Sequence, residues 1–142
     1  MVGIRLLMGM VLLGLCSVAW AAELSDVDAG TYEWLKEDRT PTGVLQKFSR
    51  SGGKWVNASK LPGKDWKNVP CDPGCEYRDS SAKEIQAYFP PSFREQYEVA
   101  CIQNIAQAFC RFIPNNDRRS RGYIFIVLVT GKPFPVRTRR VD

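Results

Sequence analysis

The sequence predicts a small α+β domain: an antiparallel sheet of about four or five strands with one long helix packed on it, stabilised by disulfides. Three observations support this prediction: short aromatic-rich segments separated by turn residues, helical periodicity over residues 92–113, and a continuous apolar segment at 123–129. The chain has 142 residues, of which 44% are apolar and 25% charged. This length and composition indicate one globular domain and give no compositional case for disorder.

The first 21 residues are predicted to be a secretory signal peptide. Arg5 precedes an apolar run at residues 6–15, and the small residues of a cleavage site follow at 19–21. The apolar run is well short of the roughly 20 residues that a transmembrane helix needs. Cleavage is expected after Ala21, with cleavage after Ala19 as the second choice.

Two alternatives stay open for this leader. It could be retained as an N-terminal anchor helix, or Cys16 could carry a lipid, although the residue before a lipidated cysteine is normally small and here it is Leu15. With cleavage after Ala21, residues 22–142 form a single exported domain, periplasmic or secreted. No later stretch is long and apolar enough to span a bilayer.

Export changes how the cysteines are interpreted. The chain has five, and removal of the leader would leave four, which in an oxidising compartment usually form two disulfides. Cys71 and Cys75 have CxxxC spacing, which fits neither a thioredoxin-like CxxC motif nor a zinc site. The predicted disulfide cysteines are Cys71, Cys75, Cys101 and Cys110.

The pairing of these cysteines depends on the structure of residues 92–113. On a continuous helix, Cys101 and Cys110 are about 13.5 Å apart along the axis and half a rotation apart, so they cannot bond to each other. The loop cysteines would then bond to the helix, with Cys110 at its frayed end. Alternatively the segment is a hairpin that pairs Cys101 with Cys110, and the two loop cysteines bond to each other. The narrow polar stripe described below favours the helix.

Strands are expected in the first third of the predicted domain. Three short segments there have strand composition: residues 31–35, 44–50 and 54–58. Ser51-Gly52-Gly53 separates the second from the third and predicts a hairpin in which Phe48 and Trp55 pair across the strands.

A long loop and a short helix follow. Residues 60–79 contain prolines, glycines and alternating charges, which together predict a loop. A loop of this length in a compact domain is usually functional or held by a covalent tie. Residues 81–88 are predicted to form a short helix that Pro90-Pro91 ends.

Residues 92–113 are predicted to be the long helix. Ser92 and Glu95 have the spacing of a capping box. At 100° per residue the apolar residues fill a wide arc, which indicates a helix buried on most of its surface. The polar residues gather in one stripe: Gln103, Asn104, Gln107 and Arg111.

The last third has two features. Residues 123–129 are apolar on both alternating faces, which is typical of a strand covered on both sides or lying against a partner chain. Residues 132–142 contain Pro133 and Pro135. Because proline cannot donate a ladder hydrogen bond, this segment is predicted to be an edge strand or a tail.

The composition excludes several enzyme classes. The chain has no histidine, which excludes Ser–His and Cys–His nucleophile pairs and imidazole metal ligands. No phosphate-binding loop, nucleophile elbow or HExxH motif is present, and no cofactor or metal is predicted. A two-carboxylate hydrolase would need no histidine. Its candidate residues would be the acids Asp65, Asp72, Glu76 and Asp79 beside the aromatic Trp55, Trp66 and Tyr77, although a solvated loop with acids paired to neighbouring cations is the favoured interpretation.

The loop around Cys71 and Cys75 is the predicted binding site. A loop stiffened by a disulfide and by Pro-Gly loses little entropy on docking, and Trp, Tyr and Arg commonly carry interface energy. The alternative is that the tryptophans belong to the core and the loop is merely tied down. The predicted partner-binding residues are Trp66, Asp72, Pro73, Glu76, Tyr77 and Arg78.

The C-terminal region is basic. In an extended strand Arg137 and Arg139 point the same way, and together with Arg140 they are predicted to bind anions. An exported protein meets lipopolysaccharide, anionic phospholipid, acidic wall polymers and stray nucleic acid, and the charge does not choose between these anions. An anionic envelope polymer is therefore one candidate ligand, and a solubilising tail is the alternative. The aromatic interleaving of RNA-binding proteins is absent, so sequence-specific nucleic-acid recognition is not expected.

The resulting hypothesis is a non-enzymatic exported envelope protein, inhibitor-like or immunity-like, that binds a protein partner through the disulfide-tied loop. One alternative is a protein that binds envelope glycans or hydrolyses them with two carboxylates. Another is a structural subunit of an envelope assembly, based on the apolar segment at residues 123–129.

Overall fold

The structure is a computed structural model that describes residues 23–68 and 75–142. The predicted signal peptide and its cleavage sites lie outside the described residues, as do Cys16, Cys71, Asp72 and Pro73.

The described chain folds into one curled antiparallel sheet, and the predicted α+β fold is wrong. The order across the sheet is β4-β3-β2-β1-β9-β8-β7-β6-β5, so strands adjacent in sequence pair with each other except where β9 joins β1. The helices in the described ranges are short: α1 (Ala82–Tyr88), α2 (Pro91–Gln96) and a 3-10 turn at Asp26–Asp28. The strands are β1 (Gly30–Leu35), β2 (Pro41–Ser51), β3 (Lys54–Lys60), β4 (Lys67–Asn68), β5 (Arg78–Asp79), β6 (Tyr97–Gln103), β7 (Gln107–Pro114), β8 (Gly122–Val127) and β9 (Phe134–Arg140).

The curl brings the two halves of the sheet together around an aromatic core. Phe48 of β2 stacks on Phe109 of β7 with ring centroids 4.4 Å apart, although β1, β9 and β8 separate these strands in the sheet. Tyr32 of β1 contacts Phe109 and Tyr123 at 4.8 and 4.7 Å. These rings are buried, and burial of each large apolar side chain contributes about 1.5–3 kcal/mol. The core therefore lies on the concave, inner face of the sheet.

The outer face is covered on one half. Helices α1 and α2 contact β6 and enclose a second cluster that includes Phe89, Ala108 and Ile126. Strand β8 is therefore covered on both sides, as its doubly apolar sequence predicts. On the other half of the sheet, β3, β2, β1 and part of β9 form the outer face.

Several local predictions are confirmed. The first strand corresponds to β1, and the hairpin around Gly52-Gly53 corresponds to β2 and β3. Helix α1 follows Ser81, whose side chain forms a capping box with Glu84. Phe48 and Trp55 are diagonal rather than opposite, because the register pairs Phe48 with Asn57.

The long helix at residues 92–113 is wrong. This stretch contains most of α2 and then a hairpin of β6 and β7, in which Cys101 pairs with Cys110 and forms a disulfide. Helix α2 starts at Pro91 with Pro90 as its N-cap, so Ser92 does not cap a helix. Three residues of the predicted polar stripe, Gln103, Asn104 and Gln107, flank the hairpin turn instead, where the Asn104 side-chain oxygen accepts from the backbone amides of residues 106 and 107. The fourth, Arg111, lies within β7.

The physical reason is burial on both faces. Strands covered on two sides are apolar along most of their length, so periodicity does not distinguish such a strand from a buried helix. The hairpin alternative for the cysteines is the correct one for Cys101 and Cys110. Cys75 is also disulfide-bonded.

Strand β9 is central, so the prediction of an edge strand or tail is wrong. Residues 134–137 pair with β8, whereas residues 138–140 pair with β1. Pro135 therefore pairs with β8 and has no strand on its other side. A proline is tolerated there because the N–H that it lacks would have no ladder partner on the open side.

The predicted loop at residues 60–79 is only partly correct. Its described residues include β4 and β5, which form the two edges of the curled sheet.

Candidate functional site

A cleft of about 430 Å³ opens on the inner side of the sheet, where β2 and β3 approach β7. This volume lies within the range of small-molecule binding sites. The base of the cleft is formed by Gln46, Asn57, Ser59 and Gln107, and its rim by Leu61, Lys64, Asp65 and Lys67.

The base is a continuous row of uncharged hydrogen-bonding side chains. Asn57 is at its centre: its amide nitrogen donates to Gln46 Oε1 at 3.0 Å, and its oxygen accepts from Gln107 Nε2 at 3.3 Å. The row continues from Gln46 Nε2 to Ser59 Oγ at 3.1 Å, and at the other end from Gln107 Nε2 to the Tyr77 hydroxyl at 2.7 Å. Because Gln107 lies on β7 and Asn57 on β3, the row connects the two halves of the sheet and orients every amide in it.

The row leaves hydrogen-bonding capacity facing the cleft. In the described part of the chain, the Gln107 side-chain oxygen and the Ser59 hydroxyl hydrogen have no protein partner. An amide oxygen is an acceptor and a hydroxyl can donate. The base of the cleft can therefore both accept from a ligand and donate to it.

Tyr77 is a fixed member of this row. Its ring meets Phe48 edge-on at 5.4 Å, and burial raises the pKa of its hydroxyl to about 12. The hydroxyl therefore stays protonated at neutral pH and acts as a hydrogen-bonding group rather than a base.

The rim is held against β2 by close packing. Gly43 has a φ of +79°, and a Cβ at this position would lie 3.0 Å from Pro62 Cγ. The Lys64 amide donates to the Leu61 carbonyl at 3.0 Å and closes the rim turn. Trp66 is 42% exposed and lies between two rim residues in the sequence. A glycine at position 43 thus allows the rim to approach the sheet.

The structure divides the predicted partner-binding residues. Trp66 is exposed and adjoins the rim residues Asp65 and Lys67 in the sequence, whereas Tyr77 is half-buried against the inner core. Glu76 is exposed and pairs with Lys54 at 3.3 Å. Asp72 and Pro73 lie outside the described residues.

Arg78 is engaged by α1. Its guanidinium donates to both carboxylate oxygens of Glu84 at 2.8 Å, and this bond holds the pKa of Glu84 down at about 2. Gln103 also donates to Glu84, at 2.7 Å, so the pair anchors α1 to β6. Arg78 is therefore a packing residue of the helix as well as an exposed side chain.

The candidate carboxylates for hydrolysis are also separated. Of the three that the structure describes, Asp65 lines the cleft, Glu76 pairs with Lys54, and Asp79 pairs in β5 with Ile102 of β6.

The predicted anion-binding arginines lie on two faces of β9. Arg137 and Arg139 are on the outer face, as their spacing predicts, and Arg139 pairs with Glu33 at 2.8 Å. Arg140 points to the opposite face, where it donates to the carbonyls of Val27 and Ala29 at 2.7 and 2.8 Å. Arg140 therefore holds the N-terminal segment of the described domain.

A buried ionic cluster joins this N-terminal segment to the sheet. Asp28 is fully buried and accepts from Arg111 at 2.7 Å and from the Tyr123 hydroxyl at 2.8 Å. Arg121 lies 3.5 Å away, and burial raises the pKa of Tyr32, whose hydroxyl donates to the Asp28 carbonyl. No local sequence pattern indicates this cluster, because its members are up to 95 positions apart.

The amides of the cleft are a different case. Gln46 lies two residues from Phe48 in a predicted strand and Asn57 two residues from Trp55, so their inward direction follows from strand alternation. Two polar side chains at inward-facing strand positions, Gln46 and Asn57, were thus a signal of the cleft that sequence reasoning missed. The position of Gln107 depends on the hairpin and was hidden by the predicted helix.

Comparison of the chain with protein-family models, with curated proteins and with solved structures finds no match. No helix among the described residues is long and apolar enough to cross a membrane. The described ranges also contain no cluster of three or more cysteine or acidic side chains able to hold a metal ion.

Proposed function

We propose that this protein is a non-enzymatic, exported protein of the cell envelope that binds a glycan in the cleft at β2, β3 and β7. The observation that carries the proposal is the row of uncharged amide and hydroxyl side chains at the base of the cleft.

The chemistry of the row suits a sugar. Each sugar hydroxyl both donates and accepts, and amide side chains offer both functions in one plane. The internal hydrogen bonds of Gln46, Asn57 and Gln107 hold the amides in place before a ligand arrives, so little side-chain entropy is lost on binding. A ligand recognised by its phosphate or carboxylate would favour Arg or Lys at the base. The two lysines that line the described part of the cleft, Lys64 and Lys67, lie at its rim, and the base residues are uncharged.

The rim supplies apolar contact. Leu61 is 55% exposed, and the partly exposed Trp66 follows Asp65 of the rim. An aromatic ring next to such a cleft can cover the C–H face of a sugar ring while the hydroxyls bond to the amides of the base.

Binding without hydrolysis is favoured by the acidic residues. A two-carboxylate mechanism needs a pair of carboxyl groups flanking the scissile bond, about 5–10 Å apart. Asp65 is the one carboxylate that lines the described part of the cleft.

Export is supported by the buried hairpin disulfide. Cys101 and Cys110 are 3% and 0% exposed and are joined by a bond that persists best in an oxidising compartment. A periplasmic or secreted location is therefore part of the proposal.

A protein partner bound beside the cleft is the second candidate. The exposed indole of Trp66 favours it, because tryptophan is enriched at interface hot spots. Half-buried Tyr77, whose hydroxyl is bonded to Gln107, is not expected to contribute to such a contact.

The test is retention on immobilised, purified envelope glycan. Replacing Gln107→Leu removes the amide at similar size, and loss of one or two ligand hydrogen bonds is expected to weaken binding roughly 10-fold or more. Gln86→Leu makes the same change on the exposed side of α1 and is expected to bind like the unmodified protein. Thermal unfolding of both variants checks that each is folded.

Equal retention of Gln107→Leu and the unmodified protein would contradict the proposal. Release of new reducing ends would indicate hydrolysis instead. Recovery of a protein that Trp66→Ala loses and Gln107→Leu keeps would support the second candidate.

A further inference from the structure

The outer face of β3, β2, β1 and β9 carries an excess of positive charge. Side chains alternate between the faces of a strand, so residues opposite the inward-facing amides and aromatic rings share the outer face. The register places Lys60, Leu45, Glu33 and Arg139 in one row across the four strands. The charged residues on this outer face are Lys47, Lys54, Lys60, Arg137, Arg139 and Glu33.

Only part of this charge is neutralised within the described residues. Glu33 is buried beneath Arg139, and Lys54 pairs with the exposed Glu76. Lys47, Lys60 and Arg137 have no acidic partner in the described part of the chain, and Lys47 and Arg137 are exposed. Three cations without an acidic partner among the described residues thus remain on one face, Lys60 among them half-buried.

The charges form a two-dimensional array. Adjacent strands are about 4.8 Å apart, so Lys60 and Arg139 are separated by three strand spacings, or about 14 Å. Lys47 lies two residues after Leu45 in β2, and Arg137 two residues before Arg139 in β9, so the two cations are displaced from the row in opposite directions. Small or apolar side chains, Ala58 and Val56 among them, lie between the cations. The arrangement is a broad basic surface rather than a groove.

We propose that this outer face docks on the anionic phospholipid headgroups of a membrane surface. A broad, convex array of separated cations is complementary to a surface of negative charge, whereas a single polyanion chain is best held along a line of cations or in a groove. The face offers no exposed aromatic side chain for stacking on bases, which disfavours nucleic acid.

The basic outer face and the cleft lie on opposite sides of the same strands. Lys47 follows Gln46 in β2, and Lys60 follows Ser59 in β3, so neighbouring residues of the same strands serve the two sides of the sheet. A membrane against the outer face leaves the cleft open on the other side. The cleft proposal does not depend on the membrane, and either can fail alone.

The experiment is sedimentation of the protein with vesicles of phosphatidylcholine containing about 30% phosphatidylglycerol, and with vesicles of phosphatidylcholine alone. Each basic residue near an anionic surface strengthens binding about five-fold. The double variant Lys47→Gln, Arg137→Gln is therefore expected to bind the anionic vesicles about 25-fold more weakly. Raising salt from about 50 to 500 mM is expected to abolish binding by screening.

A charge-matched control separates the face from net charge. Lys83→Gln with Arg119→Gln removes two exposed cations from α1 and from the turn after β7, and is expected to bind within about two-fold of the unmodified protein. Equal weakening by both double variants, or equal binding to neutral vesicles, would overturn the proposal. Face-dependent binding to soluble heparin or nucleic acid without vesicle binding would replace the membrane with a polyanion.

Discussion

The substitution Asp28→Asn tests whether the buried ionic cluster holds the N-terminal segment on the sheet. The Asp28 carboxylate is fully buried and bonds to Arg111 at 2.7 Å, and the Arg111 side chain is 6% exposed. An asparagine has nearly the same shape, and its oxygen can still accept from Tyr123. Its amide nitrogen then replaces the oxygen that accepts from Arg111 and from the Ser25 backbone amide. The change therefore removes a charge while the packing is kept.

The expected cost follows from the burial of the two partners. Removing one member of a buried pair leaves the other as an uncompensated charge, which costs about 3–5 kcal/mol. The Arg121 side chain is 41% exposed, so its loss of attraction adds at most about 1 kcal/mol. Since small domains are stable by about 5–15 kcal/mol, the variant should lose a large part of its stability.

The assay is urea unfolding at pH 7 with three variants. Asp28→Asn is expected to lower the free energy of unfolding by about 3–5 kcal/mol, and the double variant Asp28→Asn, Arg111→Met to recover much of that loss because no buried charge is stranded. Asp26→Asn is the control: its side chain is 87% exposed and 3.7 Å from Arg50, so a change below about 0.5 kcal/mol is expected. A cost under about 1 kcal/mol for Asp28→Asn, or a double variant no more stable than the single, would refute the reasoning.

Three further predictions concern stability and the rim. Because its arginine partner lowers the pKa of Glu84 to about 2, the stability that Glu84 adds is present above the ordinary glutamate pKa and is lost as the pH falls toward 2. Glu84→Gln should therefore lower the free energy of unfolding at pH 7 by about 1 kcal/mol, a small value because the pair is partly exposed. In urea titrations near pH 2 the variant should match the unmodified protein. Replacing Cys101 and Cys110 together by alanine opens a loop of nine residues and should lower the free energy of unfolding by roughly 2.5–3 kcal/mol, with an unchanged value arguing against the bond. Gly43→Ala should weaken glycan retention because its Cβ would push the rim outward. The control is Gly52→Ala: position 52 also has a positive φ but a Cβ there meets nothing within 4 Å, so this variant should lose about 1 kcal/mol of stability and retain binding. Equal retention by both variants would contradict the assigned role of the rim contact.

Much of the local structure could be predicted from sequence where the pattern was unambiguous. Gly52-Gly53 lies between two segments of strand composition and gives the β2–β3 hairpin, and Pro90-Pro91 ends α1. Strand β8 is apolar on both alternating faces and is covered on both sides. In each case the deciding interactions lie within a few residues of the signal.

The same reasoning failed for residues 97–114 because burial removes the pattern. The two strands of this hairpin contact the inner core on one face and the helix-side cluster on the other, so helical and extended arrangements bury similar residues. The pairing of Cys101 with Cys110 becomes possible only once the chain reverses at Asn104.

The turns, α1, the doubly covered strand and the lack of histidine chemistry follow from the amino-acid sequence, since each depends on neighbouring residues or on composition. Three features follow instead from the folded sheet: β9 joins its two halves, Gln107 completes the row begun by Gln46 and Asn57, and Asp28 bonds to Arg111. These contacts join residues far apart in the chain, and the curl of the sheet brings them together. Their energies depend on burial and distance, which no short stretch of sequence records.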